Sequence, residues 1–319
     1  MTRFNITIVL ACVLLAMLLW IVRSTVGEWT NPQPLVIPDT VATESQAVTF
    51  DPDLPVISSG ASLAAYLREN GLGGAPLLND LQIWRLQRGF PDDTHWPTQP
   101  LVTQNTGALS ATADGAELLQ QAAAGNMAAM HRLAENSKFE NPVEALDWFD
   151  MAMVNGSLYA MLRTADLLAS LGDPALAGFR SDPVFAQALN ELQQATPPPR
   201  VRSLAWSIAA ITAGGFALLD ASHADRISSL TADMDAANIN KACELAQSFV
   251  LETAMARRAR GGAVFSTDRP LFAVSVADPQ DVLPCEIPVQ PLVDLSGCIT
   301  EPFVGPGRRL WQMYFCPSP

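Results

Sequence analysis

The sequence predicts an all-α protein: a short α-solenoid of antiparallel helix pairs behind an N-terminal transmembrane helix, closed by a small disulfide-held irregular or β C-terminal tail. Three observations carry that prediction. Small residues recur every three or four positions from Ala145 to Ala160, around the aromatic pair Trp148-Phe149 and before a stop at Gly156. That spacing suits two short helices whose seam admits only alanine. Ile6 to Val22 is unbroken by charge and bracketed by Arg3 and Arg23. The cysteines outside that run, Cys243, Cys285, Cys298 and Cys316, all fall in the last third of the chain.

Composition bounds the partners. Apolar residues make up 49% of the 319 residues and charged residues 16%, so the chain has material for a buried core. A net charge of −13 argues against nucleic acid as the partner, because a polyanion is repelled.

Residues 1–23 read as a transmembrane anchor or a signal peptide. The apolar run is at the short end of the roughly 17–25 residues that span a bilayer, and longer than the roughly 7–15-residue core of a signal peptide. Thr25-Val-Gly27 is a poor cleavage site, which favours the uncleaved anchor. The short N-terminal tail with Arg3 then stays inside, and the rest of the chain is exported. The expected location is a bacterial inner membrane, with a single pass through residues 6–22 and the soluble part in the periplasm. The alternative is a secreted or periplasmic form released by cleavage.

Residues 24–60 read as a linker, because Pro32, Pro34, Pro38, Pro52 and Pro55 exclude a helix. Residues 61–113 form an N-terminal capping region. It holds a short helix from Ser62 to Asn70 and a better one from Leu77 to Arg88, with Leu77, Leu81, Trp84 and Arg88 on one side. The helix pairs occupy residues 114–262. The spacing predicts Asp114–Ala124 with Met127–Asn136, then Pro142–Val154 with Ser157–Ser170, then a helix at Pro183–Ala195. Val201–Ala213 pairs with Phe216–His223 around Gly214-Gly215, and Ser228 to Arg258 reads as one long helix or two. Residues 263–319 change character: proline recurs, and short apolar runs appear at Leu271–Val276 and Leu310–Phe315.

Four cysteines outside the membrane allow three disulfide connectivities. The preferred pairing joins Cys285 to Cys298 around the turn-like Asp294-Leu-Ser-Gly297, leaving Cys243 to hold the tail through Cys316. The alternative is four unpaired thiols in a reducing compartment.

The turns can be aligned. Trp148 precedes Gly156, and Trp206 precedes Gly214, by the same interval, and Ala152 and Ala210 match likewise. Gly125 and Gly156 are one repeat length apart, whereas Gly156 and Gly214 are almost twice that, which implies a degenerate or inserted unit between them. Ala145-x-x-Trp148-Phe149-x-x-Ala152-x-x-x-Gly156-x-x-x-Ala160 resembles the Sel-one-like repeat, a relative of the tetratricopeptide repeat. Leu119 through Ala134 is similar to part of a preceding copy, and the resemblance extends over about residues 114–258. The usual Leu-Gly of the second helix is Leu133-Ala134 in one copy and Thr164-Ala165 in the next. The resemblance implies a protein-interaction scaffold without naming its ligand.

Motifs for catalysis are lacking, so no catalytic residue, cofactor or metal is expected. The sequence has no H-E-x-x-H, G-x-S-x-G, P-loop or G-x-G-x-x-G pattern. The most site-like cluster is Asp92-Asp93-Thr-His95-Trp96, where two carboxylates beside an imidazole could bind metal or move protons. An exported hydrolase or metal-dependent enzyme using Asp92, Asp93 and His95 is therefore the competing reading, and a purely structural spacer is the third. Leu204–Leu219 is apolar enough to suggest a second span, but it coincides with a repeat unit. The expected role is a membrane-anchored, exported scaffold that holds an unidentified exported protein or peptide in a groove formed by the first helices of successive pairs. Its packing residues would be Ala145, Trp148, Ala152, Gly156, Ala160, Trp206, Ala210 and Gly214.

Overall fold

Five of the ten described helices start at a polar side chain that accepts a free amide of the first turn. Asn126 Oδ1 accepts from Ala128 N at 3.0 Å and Ala129 N at 3.2 Å, and Asn141 Oδ1 from Glu144 N at 3.3 Å. Ser157 Oγ accepts from Ala160 N at 3.0 Å, Asp182 Oδ1 from Val184 N at 2.8 Å, and Asp235 Oδ1 from Asn238 N at 2.8 Å. Pro142 and Pro183 follow two of these caps, where their missing N–H is no loss.

The computed structural model describes residues 53–57, 60–91, 115–171, 182–214, 221–263, 265, 271–276, 282–285, 297–305 and 310–316. The first two helices are α1 (Gly60–Glu69) and α2 (Ala75–Leu86). Next come α3 (Gly115–Ala123), α4 (Met127–Ser137), α5 (Pro142–Val154) and α6 (Leu158–Ser170). They are followed by α7 (Pro183–Gln194), α8 (Pro199–Gly214), α9 (Ala221–Ala232) and α10 (Ala236–Ala259). Three strands close the order: β1 (Phe272–Val276), β2 (Ile299–Val304) and β3 (Leu310–Phe315). The fold is thus mostly helical with a small antiparallel sheet. Among the described residues no helix is long and apolar enough to cross a membrane. The expected anchor at residues 6–22 lies outside the described residues.

Successive helices pack on one another from α3 through α6, and α6 then packs on α8. Two further contacts depart from a simple succession of pairs. Helix α7 packs on α5, and α10 packs on both α8 and α5. Leu168, Leu171, Phe185, Leu189 and Leu192 form a separate small core under α7, against Val143, Leu146 and Trp206. The stretch between Gly156 and Gly214 thus contains α7, which shares this small core with the end of α6.

Helix α8 explains the long apolar run after Leu204. Surrounded by α6, α9 and α10, it buries every residue from Ser203 to Gly214 except the half-buried Trp206. Its hydroxyls are satisfied without water: Ser203 Oγ donates to Ala165 O at 2.7 Å, Ser207 Oγ to Ser203 O, and Thr212 Oγ1 to Ile208 O.

The stretch from Ser228 to Arg258 is two helices, with a break between Ala232 and Ala236. No glycine or proline marks it; the Asp235 cap starts the second helix. The preceding expected helix, Phe216–His223, falls partly on residues 215–220, which lie outside the described residues. Its last residue, His223, belongs to α9.

The sheet has the order β1-β3-β2, antiparallel throughout, with Phe272 and Ile299 both opposite Phe315. Phe303 stands opposite Trp311 with ring centroids 6.1 Å apart, and both are buried. The sequence marks β1 and β3 but not β2, whose Ile-Thr-Glu-Pro-Phe-Val carries a charge and a proline. Pro302 is tolerated because β2 is an edge strand of the sheet, bridged on its outer side only at Val304.

That missed strand corrects the cysteine pairing. Cys298 lies just before β2 and Cys316 just after β3, so the antiparallel register sets them opposite each other, and they pair. Cys285 pairs instead with Cys243 of α10. The expected Cys285–Cys298 and Cys243–Cys316 bonds are not formed. Non-reducing peptide mapping of the mature protein should therefore recover the linked pairs Cys243–Cys285 and Cys298–Cys316, and its N-terminal peptide will report whether residues 1–23 are retained. Recovery of Cys285 joined to Cys298 would overturn this register.

The sheet also joins the two ends of the described chain. Val56 bridges Val304 in parallel, with Ile57 N donating to Val304 O and Val304 N to Pro55 O, both at 2.9 Å. Leu271 N donates to Asp80 Oδ2 of α2 at 2.8 Å, and Tyr66 Oη of α1 donates to Glu301 Oε2 at 2.7 Å. Burial and that carboxylate push the Tyr66 phenol up to about 12. The folded body therefore begins before residue 60, where the sequence places linker. The described parts of the expected capping region and of the tail are thus in contact.

Candidate functional site

Most of the expected packing residues are buried. Ala145, Ala152, Ala160 and Ala210 are fully buried at 0% exposure, and Gly156 and Gly214 are buried beside them. Trp148 and Trp206 are only half-buried, so they lie at the edges of this packing. Trp148 Nε1 donates to Glu144 Oε1 at 3.4 Å, while Trp206 stacks on Phe249 of α10 at 4.1 Å.

Gly156 does more than end a helix. Its φ of 111° favours glycine, and a Cβ there would stand 2.5 Å from a guanidinium nitrogen of Arg257. Arg257 reaches over the α5–α6 turn from α10, with its guanidinium 4.6 Å from the Phe265 ring centroid. Its Nε donates to Ala263 O at 3.0 Å, and its Nη1 lies 3.5 Å from Val154 O at the carbonyl end of α5. The sequence offers no signal for this contact, because nothing local says that α10 crosses α5.

A second cluster unites residues the sequence leaves apart. His131 Nε2 of α4 lies 2.8 Å from Ser157 Oγ, and both side chains are buried. Tyr159 packs edge-on against His131 at 4.9 Å and against Phe90 at 5.6 Å. Arg88 O, at the end of α2, accepts from Leu158 N at 3.0 Å and Tyr159 N at 3.4 Å. The free amides at the start of α6 are thus met by the Ser157 side chain and by another helix's carbonyl. A buried serine beside a histidine suggests a nucleophile, but the geometry opposes it. Ser157 has 0% exposure and is engaged as a cap, and His131 Nδ1 has no hydrogen-bond partner to orient the ring as a base. Burial, opposed by Glu135 and aided by Arg163, holds the imidazole down at about 4, so the ring is neutral at pH 7. This is a packing junction of α2, α4 and α6.

Charged residues form a third cluster. Glu135 meets Lys138 and Arg163, each at 2.6 Å; Arg163 meets Asp166 at 2.7 Å; and Asp166 meets Arg226 of α9. Burial alone would raise the Glu135 carboxyl, yet Arg163 and Lys138 outweigh it and hold it below the ordinary value. The pairs Glu135–Lys138 and Arg163–Asp166 are visible in the sequence at helical spacing. Their fusion into one network is not, since it depends on α4, α6 and α9 meeting.

One helix face stays open. Glu144, Asp147 and Asp150 are exposed at successive turns of α5, away from its alanine seam. Partial desolvation, and then Asp147, push the Asp150 carboxyl up against the pull of Arg260. Helices α7 and α10 cover other parts of α5, and α10 covers α8. The expected groove between the first helices is thus partly filled by the chain itself.

Asp92, Asp93 and His95 lie outside the described residues. Among the described residues no group of three or more His, Cys, Asp or Glu side chains is placed to hold a metal ion. No family model, no curated protein and no solved structure matches the chain.

Proposed function

We propose that this chain is an exported, membrane-anchored helical scaffold of Sel-one-like repeats that binds another exported protein or peptide in a bacterial periplasm. The observation that carries the reading is α5 itself. Its alanines are fully buried against neighbouring helices while Glu144, Asp147 and Asp150 face outward together. Such a helix is built to be held rigidly and to present a surface. The partner's matching surface is basic, since a row of carboxylates attracts a row of cations and repels other acidic chains. The pairing of four cysteines supports an oxidising compartment, and the apolar run at residues 6–22 supports the anchor.

Affinity capture from detergent-solubilised membranes under oxidising conditions, followed by crosslinking, tests this. The wild-type chain should retain a specific exported partner, and the triple reversal E144K/D147K/D150K should retain at most about a tenth as much, because rim charges of one sign act together. Absence of any specific partner, or equal retention by the reversed chain, would overturn the proposal.

A further inference from the structure

The ionic network described above leads into a surface pocket. Ala169 of α6, Arg200 of α8, and Arg226, Ser229 and Leu230 of α9 line a space of about 340 Å3. Two arginines and a serine from two helices are among its lining residues, and among the described residues no carboxylate lines it.

The neighbouring carboxylates are shared among several cations. Asp166 is shared between Arg226 and Arg163, and Glu135 between Arg163 and Lys138. Three cations are thus balanced by two carboxylates, in a chain whose net charge is −13. Arg200 is engaged by Asp233 at 3.1 Å, in a pair whose side chains are 51% and 66% exposed. A pair so wet is screened and exchanges readily with a competing anion. Arg226 is held more firmly, since its side chain is 23% exposed and tied to Asp166. One guanidinium is therefore preorganised and the other can swing, which suits capture of a small charged group.

We propose that this pocket binds a small oxyanion, a phosphate or carboxylate group, with the Arg226 N–H groups other than the Nη1 held by Asp166 as fixed donors, Arg200 as the closing cation and Ser229 as a hydroxyl donor. Guanidinium forks match the planar oxygen pairs of carboxylates and the oxygens of phosphates. Ala169 and Leu230 give the site an apolar wall, so a short carbon chain behind the anionic head is accommodated. The volume is at the small end of ligand pockets, which limits the ligand to a few carbons.

The test titrates the purified full-length protein with inorganic phosphate and, separately, with propanoate, at ionic strength held constant with sodium chloride, and follows thermal unfolding. The expected result is a saturable rise in Tm with one of the two anions and none with chloride. The anion that saturates names the class. R200Q should weaken the apparent affinity about tenfold through loss of a charge-assisted contact. Because R226Q also strips Asp166 of a partner, the second variant is S229V, which keeps every ion pair and removes the hydroxyl donor; it should weaken the apparent affinity several-fold. No saturable response to either anion, or the same response in wild type, R200Q and S229V, would overturn the proposal.

Discussion

Replacing Gly89 with alanine is expected to lower folding stability by about 3–4 kcal/mol, from left-handed strain, overpacking and a disturbed helix cap together. Gly89 ends α2 with φ of 79°, a conformation alanine adopts only under strain. The larger part comes from what lies beside it. A Cβ there would meet Ser157 Oγ, would stand 2.8 Å from Ser157 Cβ, and would be 3.2 Å from His131 Cε1. Neither neighbour can swing away. Ser157 is short, fully buried, and holds both the Ala160 amide and the His131 ring. Moving residue 89 instead would pull the adjacent Arg88 carbonyl from the Leu158 and Tyr159 amides. Gly71 supplies the control, since its φ of 71° is similar but nothing lies within 4 Å of its added Cβ. Gly71→Ala should cost only about 1 kcal/mol, the strain alone. Urea midpoints of the two variants measure the difference, and equal losses would show that the packing at Gly89 contributes nothing.

The same junction shows what a single sequence can and cannot disclose. The bounds of α5 are readable because their causes are local: Asn141 caps, Pro142 fits the first turn, and Gly156 takes a positive φ. The alanine seam is readable for a similar reason, since its spacing reports a helix face and its small size a close neighbour. Which neighbour is another matter. Arg257 over the α5–α6 turn, α7 against α5, and Gly89 against Ser157 join positions far apart in the chain, and no periodicity encodes them. The cysteine pairing is hidden for one specific reason. Without β2 the register that sets Cys298 opposite Cys316 is invisible, and the shortest loop then looks best. The candidate binding features divide in the same way. The acidic spacing of Glu144, Asp147 and Asp150 is open to reading on one helix, whereas Arg200 and Arg226 meet only after α8 and α9 have packed.

Acid should unlock the junction before it protonates most carboxylates. In the unfolded chain His131 takes up a proton near its ordinary value of 6.5; in the folded protein burial holds it down at about 4. Between those values the unfolded state binds more protons, so stability falls as pH falls from about 6.5 to about 4. Over that window the loss amounts to about 3 kcal/mol, since each tenfold difference in proton affinity between the two states is worth about 1.4 kcal/mol. The cost has a visible origin. Nε2 has Ser157, but Nδ1 has no hydrogen-bond partner, and a protonated ring would bury an unmet N–H together with its charge. Glu135 lies on the same helix and favours the proton, while Arg163 of α6 opposes it. Glu135 adds its own acid sensitivity lower down, because its carboxyl is held below the ordinary value and its stabilising pairs are lost only as pH falls through that lower range. The two contributions separate by mutation. In His131→Gln the urea midpoint should change little between pH 7 and pH 4.5, whatever its starting stability, whereas the wild-type midpoint should drop over the same interval. Parallel curves for the two proteins would remove His131 as the cause and place the acid sensitivity in the Glu135–Arg163–Asp166 network alone.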